Sequence, residues 1–150
     1  MEFNDLSDLS GHATCDLGVT PWQEISSEQV QAFADLTGDH QWIHLDPVKA
    51  KAEGPFGGAI VHGAFVLSLA PVMVGELFRV SKASHMINAG MERARLRQHV
   101  PVGARIRGRA TLRDAEPFAD GVLANIALTI DIEGQKRPAC TVEQRVIVYV

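Results

Sequence analysis

The chain is poor in cysteine, in positive charge and in uninterrupted apolar sequence, and each shortage removes a class of protein. Only Cys15 and Cys140 are present, far apart and without the Cys-x-x-Cys spacing of a redox or zinc motif. They read as two reduced thiols of a cytoplasmic protein, not as a disulfide framework. Lys and Arg number 14 against 18 Asp and Glu, a net charge of −4 that argues against general nucleic-acid binding. The N-terminus, Met1-Glu2-Phe3-Asn4-Asp5, has neither a basic region nor an apolar one, so no ordinary secretory signal is expected there. The longest apolar run, Gly57 to Gly75, approaches the ~20 residues of a membrane span. It carries His62, Ser68, Pro71 and four glycines, however, and no basic residues flank its start. A buried central helix is the expectation, with no membrane contact.

What is present is a globular composition, with 46% apolar and 21% charged residues over 150 positions. One domain over residues 1–150 is expected, with residues 1–13, polar and mixed, as a loose arm. Residues 14–25 read as one short strand with Trp22 as an apolar anchor. Ser26 and Gln29 fit a capping box ahead of Val30, Phe33 and Ala34 at helical spacing, and Gly38 suits the left-handed end of that helix. Asp46-Pro47 is a second start signal, for a helix that runs to about Glu53 and stops at Gly54-Pro55. A third helix, about Gly63 to Phe78, is apolar on nearly every face and must be buried all round, with Pro71 kinking it or removing one hydrogen bond.

From Ser84 the period changes to two. Ile106, Gly108, Ala110 and Leu112 alternate with Arg105, Arg107, Arg109 and Thr111, and similar alternation recurs from Val122 and from Val142. Turn signals at Pro101-Val102-Gly103, Glu116-Pro117 and Glu133-Gly134 predict a meander of about four antiparallel strands. Helices first and strands after make an α+β fold, with the curled sheet wrapping the apolar helix. A turn at Pro101-Val102-Gly103 would pair Arg93, Arg95 and Arg97 with Arg105, Arg107 and Arg109 as a basic stripe. That stripe is either a solvated face with acidic neighbours or a place for phosphate, which guanidinium geometry suits.

The chemistry-bearing residues gather in Gly38-Asp39-His40-Gln41-Trp42-Ile43-His44-Leu45-Asp46 and Phe56-Gly57-Gly58-Ala59-Ile60-Val61-His62-Gly63. Asp39 and His44 lie on the connection between two helices, where functional groups tend to sit. A carboxylate and an imidazole held together can activate water near neutral pH, and a backbone N–H at a helix N-terminus can meet an oxyanion. Taken singly, Asp39 reads as a turn residue and His44 as a satisfied structural histidine; together they read as a pair. Asp46 reads as a helix cap, His62 as a structural residue bonding the loop of Asp39, and Trp42 as packing near a substrate tunnel or an interface. The His40/His44 spacing raises a metal site, but a non-helical segment would not put both rings on one face, so no metal is expected.

These two segments, with Ser68-Leu69, resemble the MaoC-like dehydratases, the (R)-specific enoyl-CoA hydratases of the hot-dog fold. Gln41-Trp42, where most members have Asn-Pro, is similar to the NodN-like branch, as are Ile87-Asn88-x-Gly90 and Pro101-Val102-Gly103. The resemblance spans about residues 20–150. It implies an antiparallel sheet wrapped around a long central helix, usually in a homodimer whose sheets join edge to edge. It implies a cytoplasmic hydro-lyase acting on trans-2-enoyl thioesters of coenzyme A or acyl carrier protein, with no cofactor. Catalytic Asp and His fall on Asp39 and His44, and the oxyanion-hole amide on Gly63; Trp42, Phe56, Gly57 and His62 are placed at the substrate. A non-catalytic acyl-thioester-binding protein or subunit, and a thioesterase, are the competing readings.

Overall fold

In the computed structural model, which describes residues 1–11 and 14–150, helices occupy the first half of the chain and long strands the second. In chain order the first elements are β1 (Glu2–Phe3), α1 (Leu6–Ser10), β2 (Cys15–Val19), β3 (Gln23–Glu24) and α2 (Ser27–Thr37). Then come α3 (Trp42–Leu45), α4 (Pro47–Glu53), α5 (Gly63–Ser68), α6 (Ala70–Leu77) and β4 (Arg79–Val80). The long strands are β5 (His85–Leu96), β6 (Arg105–Phe118), β7 (Gly121–Ile132) and β8 (Cys140–Tyr149). None of the described helices is long and apolar enough to cross a membrane.

The main sheet has the order β2-β6-β7-β8-β5, antiparallel throughout, with β3 also paired to β6. Period-two patterning sets which face is covered. Ile106, Ala110 and Leu112 of β6, Ile126, Leu128 and Ile130 of β7, and Val142, Val146 and Val148 of β8 are buried toward α5 and α6. Gly108 allows the closest approach, because a Cβ there would press on Met73 of α6 and Leu128 at 3.1 Å.

Several expectations need correction. The central helix is broken at Leu69 into α5 and α6, with Pro71 in the first turn of the second piece. Proline has no N–H for the Leu67 carbonyl, so an unbroken ladder is not available there. The four long strands are not one meander: β5 pairs with β8, so it lies at the opposite side of the sheet from β6. The two arginine triplets therefore do not form one stripe. Glu116-Pro117 lies within β6, and the reversal comes at Ala119, where φ is 47°. Residues 14–25 hold two strands rather than one, and Trp22 is half-buried under the Arg107 guanidinium, 4.4 Å away.

The arm expected to be loose is ordered over residues 1–11. Phe3 pairs with Val80 in a parallel bridge between β1 and β4, and its ring meets Phe78 at 5.7 Å. Asp5 caps α1 by accepting from the N–H groups of Ser7 and Asp8, and Leu9 is fully buried. Residues 12 and 13 of that expected arm lie outside the described residues.

Candidate active site

The capping box that starts α2 is formed, with the Ser26 N–H donating to Gln29 Oε1 at 2.9 Å and the Gln29 N–H to Ser26 Oγ at 3.3 Å. Gly38 ends the helix at φ 81°, a conformation open to glycine without strain, and swings the chain across the molecule. Asp39 follows at once. Its Oδ1 accepts from the Gln41 side-chain amide at 3.1 Å and from the Gln41 N–H at 3.4 Å. The Gln41 side-chain bond is the main cause that holds this carboxyl below its usual range. Partial burial opposes the shift; the Gln41 N–H and the nearby His44 and His62 add to it.

The expected connection between helices contains one helical turn of its own, α3, and His44 sits on it, buried. The turn is held from below by residues 59–61. The Val61 N–H donates to the Val100 carbonyl and the Val102 N–H to the Ala59 carbonyl, which zips residues 59 and 61 to the following loop. The intervening Ile60 therefore turns its own amide and carbonyl the other way. Its N–H donates to the Ile43 carbonyl, and its carbonyl lies 2.6 Å from His44 Nδ1. A carbonyl only accepts, so Nδ1 carries the proton and Nε2 keeps its lone pair.

His62, the residue before α5, is also buried, and its Nε2 lies 2.9 Å from the Asp39 carbonyl. The same logic puts the proton on Nε2 and leaves Nδ1 as a buried acceptor without a partner. Its ring stacks on His44 with centroids 3.8 Å apart and touches Phe33 at 5.1 Å. One donor atom from each of Asp39, His44 and His62 falls within 4.8 Å of the other two. A metal lies in the plane of each imidazole that binds it, and two rings stacked at 26° have planes that do not meet within bonding reach. The three residues could hold one cation only after a ring turned.

His44 lines two cavities. One, of about 270 Å³, is shared with Ile60, Gly63, Val66, Leu96 and Arg97. The other, of about 710 Å³, opens toward Gln31, Asp35, Leu45 and Pro47. The larger is within the range of ligand sites, roughly 300–1,000 Å³, and the smaller lies just below it. Gly63 begins α5, and its N–H belongs to the first turn, which has no acceptor within the helix. A Cβ there would overlap Leu96 Cδ1, so the bare backbone faces the smaller cavity.

The structure thus brings Asp39, His44, His62 and Gly63 together. Trp42 is exposed on the outer side of α3 with Lys49 Nζ 4.9 Å from its ring, and it lines neither cavity beside His44. Phe56 is exposed against His99 at 4.8 Å, and Gly57 is an exposed turn residue at φ 78°. Neither lines those two cavities. His40, exposed, bonds Asp35 at 2.9 Å. Asp46 caps α4 by accepting from the Lys49 N–H at 2.9 Å. Sequence reasoning missed two groups. Gln41 stood in the motif without a role, two residues after an acid it could reach as a local turn. The Ile60 carbonyl carried no signal, because a backbone group acquires its position only from pairing with a distant loop.

Comparison with known proteins agrees with this architecture. Residues 14–129 match the family described as MaoC like domain. The chain is 40% identical over 142 residues to 3-hydroxyacyl-thioester dehydratase Z of Mycobacterium tuberculosis, covering 94% of this chain and 93% of that protein. It is 38% identical over 138 residues to Nodulation protein N of Rhizobium meliloti, covering 91% and 86%. The crystallised (R)-hydratase of A. caviae involved in PHA biosynthesis superposes with a TM-score of 0.66 at 25% identity, covering 89% and 92%. Its hot-dog architecture is the one seen here, an antiparallel sheet curled over a central, here broken, helix. The chain belongs to the MaoC-like dehydratase family.

Proposed function

We propose that this protein adds water to trans-2-enoyl thioesters of coenzyme A or acyl carrier protein, giving (R)-3-hydroxyacyl thioesters, and catalyses the reverse dehydration. The observation that carries the reading is the convergence of a low-pKa carboxylate, an imidazole with a free Nε2 and the first-turn amide of Gly63. A thioester carbonyl makes C3 of the conjugated double bond electrophilic. His44 Nε2 takes a proton from water as the oxygen attacks C3. Asp39 holds the same water, and the proton that His44 has taken passes by way of the Asp39 carboxylate to C2, so that one water supplies both the hydroxyl at C3 and the hydrogen at C2 and both side chains return to their starting states. Both groups stand on one side of the substrate, so the addition is syn. The charge that develops on the carbonyl oxygen meets the Gly63 N–H, a fixed donor that needs no reorganisation. His62 fixes the backbone of Asp39 and presents its free Nδ1 beside the substrate. The reaction draws its activation from the thioester and that amide, with no metal or cofactor. The name of the Mycobacterium relative supports a thioester dehydratase.

We read the protein as a homodimer joined through β5. That strand is a sheet edge, and Met86 and Ile87 are exposed along it. An unpaired apolar edge invites a second strand.

The test is loss of enoyl absorbance with crotonyl-CoA and a longer enoyl-CoA, beside Asp39→Asn and His44→Ala, with a free-thiol assay in parallel. Wild type hydrates; each variant, folded, falls by about 10²–10⁴ in kcat/KM, the usual worth of a general acid or base. Thiol release without hydration makes it a thioesterase. Binding without turnover makes it an acyl-thioester-binding subunit, which the similarity to Nodulation protein N keeps in view.

A further inference from the structure

The sheet sorts the arginines of β5 and β6 into two groups with different surroundings. Arg105 reaches Glu133 at 3.0 Å, Arg109 reaches Asp131 at 2.7 Å, and Arg107 lies 3.8 Å from Asp131 and over the Trp22 ring. Arg105 and Arg109 are paired within the fold, and Arg107 is held by packing, its Nε buried without a hydrogen-bond partner. Arg93, Arg95, Arg97 and Arg113 instead line a surface cavity of about 470 Å³ floored by Thr129 and Thr141. Arg93 is held by Glu143 at 3.0 and 2.9 Å, which neutralises the acid in that cavity. Among the described residues Arg95 bonds the Ala94 carbonyl and Arg97 the Thr141 hydroxyl, and neither has a carboxylate partner. Among the described residues Arg113 has no carboxylate partner. A chain of net charge −4 thus keeps an uncompensated cluster of guanidiniums in one place.

A bulge puts them there. Glu92 pairs with Glu143 and Arg95 with Thr141, three residues on β5 opposite two on β8, and Arg93 sits at φ 50° between them. The extra residue reverses the alternation. Arg95 and Arg97 turn to the outer face, while Leu96 turns inward to Gly63. Arg97 lines both the outer cavity and the inner one that holds His44 and Gly63. A thioester seated at Gly63 and leaving around the end of β5 arrives at this cluster.

We infer that the outer arginine cavity holds the phosphates of the nucleotide handle of a coenzyme A thioester; this deepens, and rests on, the thioester reading above. Planar guanidinium forks pair with phosphate oxygens two at a time. Several such forks around one cavity suit a diphosphate with a further phosphate better than the single phosphodiester that joins pantetheine to a carrier protein.

The test sets wild type beside the double variant Arg95→Gln/Arg113→Gln, two positions outside the His44 cavity. The substrates are crotonyl-CoA, crotonyl-pantetheine, which has no phosphate, and a crotonyl carrier protein. The variant is expected to raise KM for crotonyl-CoA about tenfold or more at unchanged kcat, the scale of one lost charge-assisted bond. Crotonyl-pantetheine is expected to be unaffected, and added salt to raise KM for crotonyl-CoA in wild type more than in the variant. An unchanged KM for crotonyl-CoA overturns the proposal, as does an equal loss on crotonyl-pantetheine. A loss confined to the carrier-protein substrate also overturns it and assigns the arginines to an acidic protein surface. If no thioester is turned over, the hydratase reading fails, and the cavity is judged by calorimetric binding of adenosine 3′,5′-bisphosphate. Binding to wild type that weakens about tenfold in the variant upholds the cavity, and no binding overturns it.

Discussion

At the scale of the residue, Asp39 keeps its charge because both donors of one neighbour meet one of its oxygens. Gln41 supplies a side-chain amide and a backbone N–H, and the side-chain bond is the main cause of the lowered pKa. Donors that stabilise the charged form lower a carboxyl's pKa; removing them lets it rise toward the usual value near ~3.9. Gln41→Ala is therefore expected to move the Asp39 titration upward, and with it the acid limb of the pH–rate profile. Carboxyl NMR of Asp39 beside the kinetics checks it; an unmoved carboxyl resonance would remove Gln41 from the account. The same depressed pKa sets a sign for stability. Its contribution is present above the pKa of the unfolded chain and is lost as pH falls through the lower folded value.

At the scale of the element, short pieces do more than their length suggests. Leu6–Ser10 is a helix of five residues, too short to persist alone. It holds because Asp5 caps it and Leu9 enters the core with no exposed surface. Leu9→Ala is expected to cost about 3 kcal/mol, within the range for buried leucine truncation, as a lower urea midpoint at unchanged slope. A change below about 0.5 kcal/mol, the level of an exposed site, would return this segment to the status of a loose arm. The turn of α3 is shorter still and carries His44. Its support lies in Ile60, through one N–H to the Ile43 carbonyl and one carbonyl to the imidazole, and not in its own propensity.

At the scale of the whole molecule, β5 ends the main sheet with no further strand beside it among the described residues. Met86 and Ile87 on β5 are about two-fifths exposed, 40% and 46%, and beside them Gln144 is buried with its Oε1 unpartnered. Met86→Lys/Ile87→Lys, which places charge on that edge, is expected to weaken dimerisation by at least about tenfold. Light scattering across a dilution series checks it; a wild type that stays monomeric at high concentration would end the homodimer reading. The amino-acid sequence by itself determined the caps of α2 and α4, the buried faces of β6, β7 and β8 and the position of Asp39 after a left-handed glycine. These are local matters of period, side-chain reach and φ. Tertiary structure alone decided that β5 crosses to β8, because which edge a strand joins depends on covering the helix and not on its own pattern. It also decided which nitrogen of His44 is free, since that follows from a carbonyl sixteen residues away whose direction is fixed by pairing with a third segment.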